Sequence, residues 1–381
     1  MLEKVYTKDI QKGMFVVCSA NGNPSLPEEI ANTSISSKET ILKLQRCDIK
    51  EVLIDSSKST TANIHPKTSY SEEILFARET YANILNMIKL IFETVERGDS
   101  LDVAQYEKNI DPLIDSIERN PSAAASLTVL AQSDKYLFSH SLNTAILSAM
   151  LGRFMGLPRE SITQLSIAAM LMNIGEIWIP DSILKKKGKL TKQEFSTVKD
   201  HPVAACKYLN NQPGISIDII KGVLSHHERD DSSGYPEGLS GSKIHKFARI
   251  ISICDSYDSM TSDRPYREAM TPNMAIKHLY SMKKTTFHTR YIESFIMCVG
   301  IYPVGCFVKL SDGSYGIVLE NTPQAPLLPQ IKIVFDSRLR ATHPKYIDLA
   351  KLASENSGES LEIEECIHPK SFKLELSRFL W

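Results

Sequence analysis

The chain has 381 residues, with 44 lysines and arginines against 45 aspartates and glutamates and a formal net charge of −1 at pH 7. That length allows two or three domains with their own cores. The even charge balance removes any general pull toward nucleic acid but leaves small phosphorylated ligands open. Seven scattered cysteines without a C-x-x-C pair fit a reducing compartment better than a disulfide framework. With no leader-like N-terminus and no bilayer-length apolar run, the expectation is a cytoplasmic protein with no membrane partner.

In chain order, residues 1–65 read as a small mixed α/β domain. "MFVVCSA" and "KEVLID" are β-branched runs, and "SSKETILKLQRCD" between them has helical spacing and a serine N-cap. Residues 66–120 form a linker and amphipathic helices. Ile74, Tyr81, Ile84, Leu85, Ile88, Ile91, Phe92 and Val95 recur at three- and four-residue steps, up to a break at Arg97-Gly98-Asp99. Such a stripe must be covered, by the next domain or by a second copy in a homodimer, and packing on the next domain is favoured.

Residues 121–300 read as a mostly α domain of five or more helices. Helical stretches surround 142–154, 162–172, 192–209, 217–227, 247–260 and 274–282, parted by "GLPRE", "NQPG" and "GYPEG". Over 301–350 the texture becomes that of a small β appendage: "GCFVKLSDGSYGIVLEN" alternates around a D-G turn and "QIKIVF" follows. Residues 351–381 read as a charged tail.

The groups with chemical potential lie in the helical domain. His226 and His227 stand side by side at a helix end, before an acidic, Gly- and Pro-containing turn. Imidazole is the commonest transition-metal ligand, yet a His-His pair alone is also an ordinary helix end. His140 shares a helical register with Leu147 and Leu151 and so faces inward, while His201 precedes a proline near a helix start, where it could equally cap. Asp255 falls among apolar Ile250, Ile253, Tyr257 and Met260, and a carboxylate there needs a partner. Histidines from several helices with a semi-buried acid favour a metal site.

The order His140, His201, His226-His227, Gly234-Tyr235-Pro236, Asp255 and "TSDRPYR" resembles the HD-GYP family, the branch of HD-domain phosphohydrolases that hydrolyses cyclic di-GMP. "IPDSILKKKGKLTKQE" and "HHERDDSSGYPEGL" are also similar to family signatures. The small N-terminal domain with its "KGMFV" stretch and "GIYPVGCFVKLSDG" look like one common HD-GYP architecture, so the likeness spans nearly the whole chain. It implies a mainly α HD-type domain, preceded by a small α/β domain and followed by a β appendage.

The naming motif of the family, HDIGK, stands here as "MNIGE", with Met172, Asn173 and Glu176 at the altered positions. In the family the aspartate bridges two metal ions, and a neutral amide offsets their repulsion less well. A thioether at 172 is a poor ligand for hard cations. Glu176 replaces a lysine that contacts substrate phosphate, turning attraction into repulsion. Tyr136 stands where trinuclear members have glutamate, so no third metal is expected, and Ser232 stands where glycine is usual.

By the resemblance, His201, His226 and His227 form one half-site for at most one divalent iron, manganese or zinc ion, completed by Asn173 or water. His140 and Asp255 remain of the other half. Tyr235, Asp258, Arg264 and Arg267 match ligand-binding positions, although the arginines could equally form ion pairs at a helix end. The expectation is a catalytically degenerate HD-GYP protein in cyclic di-GMP signalling, taking a cyclic dinucleotide or, through the GYP loop, a signalling protein. The alternatives are a residually active phosphodiesterase and a scaffold associating through the 74–95 helix.

Overall fold

The computed structural model describes residues 2–7, 10, 14–19, 26–27, 30–35, 38–46, 49–55, 68–130, 136–263, 268–283, 285–322, 325–355, 361–372 and 379. The chain divides into two compact units, residues 1–65 with 152–161, and residues 66–151 with 162–381.

In the first unit, β1 (Leu2–Tyr6), β2 (Phe15–Ser19), β3 (Thr33–Ser34) and β4 (Glu51–Asp55) form an antiparallel sheet in the order β1-β4-β2-β3. Helix α1 (Lys38–Arg46) supplies Leu44 to a core with Met14, Val16, Val52 and Ile54. The two β-branched runs are thus strands and the segment between them a helix. Its expected serine cap lies outside the described residues.

The second unit opens with α2 (Tyr70–Arg97), a 28-residue helix. It starts where the Glu72 carboxylate accepts from the Ser69 backbone N–H at 3.1 Å, and stops at Gly98, whose φ of +75° suits glycine. Its apolar stripe is covered by α3 (Val103–Arg119) and α4 (Pro121–Leu130) of the same chain, leaving Ile84 and Ile88 buried. The stripe named for the scaffold reading is thus covered within the chain, while Leu75, Phe76 and Leu90 of the same helix stay exposed. Arg119 clamps the buried Glu73 at 2.6 and 2.9 Å, tying α3 back to the start of α2.

Helix α5 (Tyr136–Phe154) is buried all round from Ser139 to Gly152, as befits a central helix. It is followed in the chain by α6 (Arg159–Leu171), α7 (Asp181–Leu184), α8 (Lys192–Lys199), α9 (His201–Leu209), α10 (Ile217–Leu224), α11 (Lys246–Thr261), α12 (Pro272–Ser281) and α13 (Thr289–Val299). The single helix expected over 192–209 is two, because Pro202 has no N–H to donate to the Val198 carbonyl, which accepts from the His201 side chain instead. A 3₁₀ turn, Ile174–Trp178, packs against α2 and α9. Among the described residues no helix is long and apolar enough to cross a membrane.

The β appendage is a five-stranded antiparallel sheet in the order β8-β7-β6-β5-β9. The forecast hairpin is β5 (Phe307–Leu310) and β6 (Tyr315–Glu320), the following run is β7 (Gln330–Phe335), and β8 (Ala341–Asp348) tolerates Pro344 because it is an edge. After α14 (Leu349–Ser354), β9 (Ile363–Ile367) pairs with β5, so part of the expected tail belongs to the sheet. Asn120 joins sheet to helices: its carbonyl oxygen caps α4 and its amide donates to Glu320 at 2.7 Å.

Ile88→Ala should cost roughly 2–4 kcal/mol in urea unfolding, the range for a buried aliphatic truncation, while leaving the mass in light scattering unchanged. A changed mass would restore the dimer through this stripe.

Candidate metal centre

Three histidines are brought together by chain breaks. His201 opens α9, just after the break before Pro202, and His226 and His227 follow the Ser225 C-cap of α10. In His201 the Nδ1 donates to the Val198 carbonyl at 2.8 Å, and in His226 the Nδ1 donates to the Val223 carbonyl at 2.6 Å. A carbonyl only accepts, so each Nδ1 carries the proton and each Nε2 is bare. The two Nε2 atoms face each other at 3.4 Å, and His227 offers a nitrogen to the same group, all within 4.8 Å.

This donor set fits a metal ion. Two nitrogens bound tetrahedrally at about 2.1 Å stand about 3.4 Å apart, and metal-binding histidines ordinarily anchor the other ring nitrogen on a carbonyl or carboxylate. Protonation is suppressed as well. Burial, then the neighbouring His201, pushes His226 down to about 3. Burial, then His226, holds His227 well below its ordinary value, and burial lowers His201. Among the described residues, no carboxylate belongs to this group.

His140 is differently placed. Its Nε2 meets Asp255 at 2.9 Å and its Nδ1 meets Asp258 at 2.7 Å, all three buried. Burial pulls the imidazole down, but the hydrogen bonds to the two aspartates outweigh it and hold His140 up at about 9. Burial likewise raises Asp255, and the His140 contact overcomes it, leaving this carboxyl below the usual range. Asp258, expected among the ligand-binding residues, is buried here, with its second oxygen accepting from Asn143 at 2.9 Å while the first meets His140. Asn143 in turn accepts from the Tyr81 hydroxyl at 3.1 Å. Tyr136 stacks on the His140 ring, with centroids 5.0 Å apart.

Met172 is fully buried and Asn173 nearly so, while Glu176 is half-buried. Asn173 precedes the 3₁₀ turn and its side chain does not cap it. Gly175 is required by contact, since a Cβ there would lie 2.0 Å from the His201 carbonyl oxygen. The altered motif is therefore pressed against the start of α9.

The GYP loop lies on the histidine pair. Tyr235 stacks on His227 at 4.6 Å, and a Cβ on Gly234 would come within 2.5 Å of the His227 carbonyl oxygen. The buried Glu228 accepts from the backbone N–H groups of Glu237 at 2.7 Å and Leu239 at 2.9 Å, holding the loop's far side. Glu228 was not singled out in the sequence. Its only signal is its place in a motif beside the histidines, because the amides it binds are nine and eleven residues away. Asn143, one turn beyond His140, was missed too. Arg264 and Arg267 lie outside the described residues.

Comparison with known proteins places these features. Residues 125–290 match the HD domain, residues 307–373 the KOW domain associated with HD domain, and residues 2–106 a domain of unknown function. The cyclic di-GMP phosphodiesterase PA4108 of Pseudomonas aeruginosa is 31% identical over 367 residues, covering 91% of this chain and 88% of that protein. The chain belongs to the HD-GYP branch of the HD-domain family. The cyclic di-GMP phosphodiesterase response regulator RpfG of Xanthomonas campestris is 38% identical to this HD-GYP chain over 143 residues, 37% of this chain and 38% of that one. Among solved structures, Bd1817, a HDG"Y"P protein from Bdellovibrio bacteriovorus, has a TM-score of 0.48 at 14% identity, covering 77% of this chain and 98% of that one.

Two tests follow from the geometry. For metal-free protein, His140 is raised to about 9, so its contribution is complete below the unfolded value of about 6.5 and is lost as pH climbs through 9. His226, lowered to about 3, acts oppositely: the unfolded chain takes its proton first, so stability falls as pH drops below about 6.5. Melting temperature against pH should therefore peak near neutrality; a flat profile between pH 6.5 and 9 would contradict the charged His140. Ser232 has a φ of +64°, so Ser232→Gly should relieve about 1 kcal/mol, partly offset by unfolded-state entropy, and raise the melting temperature by about 1–3 °C.

Proposed function

We propose that this HD-GYP chain acts in cyclic di-GMP signalling by binding a cyclic dinucleotide at a centre that holds one divalent cation and has lost efficient hydrolysis. The carrying observation is that three histidines converge, with no carboxylate in their group among the described residues. His201, His226 and His227 would hold the cation, and Asn173 stands where an anionic bridge to a second would be needed. When bound, the cation would act as a Lewis acid on a phosphoryl oxygen. Of the second half-site, His140 and Asp255 are paired with each other, and His140 also meets Asp258. Tyr235, stacked on His227, forms one wall of the ligand site. The exposed Asp231, Ser232 and Ser233 of the same loop offer a surface for a signalling protein.

A residually active phosphodiesterase is the second reading. It is supported by the bare, carbonyl-anchored Nε2 atoms of His201 and His226, which suit a catalytic as well as a structural ion, and by similarity to PA4108 along 91% of the chain.

The deciding experiment supplies the protein anaerobically with Fe²⁺ or Mn²⁺ and measures metal content, cyclic di-GMP binding by calorimetry and turnover, against a His226→Ala, His227→Ala double variant. The expected result is no more than one ion per chain, binding that the double variant loses, and no turnover above it. Hydrolysis above that blank would establish the second reading, and a metal-loaded wild type that does not bind the dinucleotide would remove the first.

A further inference from the structure

Lys199, the last residue of α8, has a half-buried side chain whose ammonium lies 4.9 Å from the centre of the Phe195 ring and 5.3 Å from that of Tyr235. Among the described residues no carboxylate pairs with it. Its neighbours Lys185 and Lys186 are each matched, with Asp181 and Glu194. Aromatic faces attract a cation through their quadrupole but do not cancel its charge. They hold the ammonium in place with its full positive field directed outward.

The place is close to the three-histidine centre. Tyr235 is the ring that stacks on His227, so the ammonium is at most about 10 Å from the His227 ring, since 5.3 and 4.6 Å separate each from that shared ring. Lys199 is also two residues before His201, whose Nδ1 is tied to Val198, so the ammonium's backbone and one metal-facing imidazole are fixed by the same turn. Sited cations beside an open metal position are suited to oxygens of a phosphate group, one reaching the ion and another the ammonium.

We propose that Lys199, framed by Phe195 and Tyr235, is the phosphate-binding cation of this site. The assignment rests on the reading of the three-histidine centre given above. It gives Lys199 a binding and positioning role toward a phosphate ester, and it sets a cation against Glu176, whose carboxylate acts on Tyr235 from within the same site. Phe195 remains 47% exposed, so the subsite opens to solvent on the α8 side.

The test compares full-length wild type, Lys199→Met and Lys199→Arg, each loaded with Mn²⁺, using inorganic phosphate and cyclic di-GMP as separate calorimetric probes, with metal content and melting temperature measured alongside. Lys199→Met should weaken phosphate binding at least tenfold and flatten its salt dependence. Lys199→Arg should stay within threefold of wild type, with equal metal content and melting temperature in all three. Unchanged phosphate affinity in Lys199→Met would overturn the assignment. So would absence of phosphate binding by wild type, or a loss of metal or folding that accounts for the weakening. If phosphate binding depends on Lys199 while cyclic di-GMP does not bind, the subsite stands and the proposed ligand falls.

Discussion

The centre depends on where two imidazole protons are held. Val198 and Val223 each present a carbonyl to an Nδ1, and this fixes the tautomers of His201 and His226 before any ligand arrives. Two bare nitrogens then face each other in a buried space, an arrangement of mutually repelling lone pairs that a cation relieves. The anchoring carbonyls belong to backbone at the ends of α8 and α10, so the helix breaks that look like interruptions of the fold are what aim the rings. Gly175, which allows the 3₁₀ turn to touch the His201 carbonyl, serves the same arrangement from the other side.

The two sides of the site have opposite electrostatic solutions. On one, burial disfavours the charged form of each imidazole, and charging one ring would raise the cost of charging the next. On the other, two carboxylates hold one imidazole as a cation, and Asn143 and Tyr81 extend that network toward α2. A buried ion pair costs desolvation and repays it only when every oxygen is engaged. Here both Asp258 oxygens are engaged, which accounts for its burial in a segment where a ligand contact was expected.

Much of this was legible in local sequence. The inward face of His140, the end of α2 at Gly98 and the hairpin around Asp312-Gly313 follow from periodicity and turn chemistry. What was not legible is what depends on partners distant in the chain. Asp258 was named only through the resemblance, and its contact with His140, 118 residues away, left no local signal. The helix start at His201 was signalled by Pro202, yet apolar spacing runs on across it, because spacing reports which face is buried, not whether the backbone is continuous. The strand β9 was hidden in charged sequence because an edge strand can be solvated on one face and needs only backbone to pair with β5.

Glu228 gives the GYP loop a further property. A buried carboxylate satisfied by the loop's own amides holds the loop in shape from within, through bonds that no ligand contributes. A ligand bound at Tyr235, as proposed above, would find a wall already formed and spend little of its interaction on ordering backbone. Binding there would then need no slow closing step, and differences in affinity among ligands would reside mainly in how fast they leave.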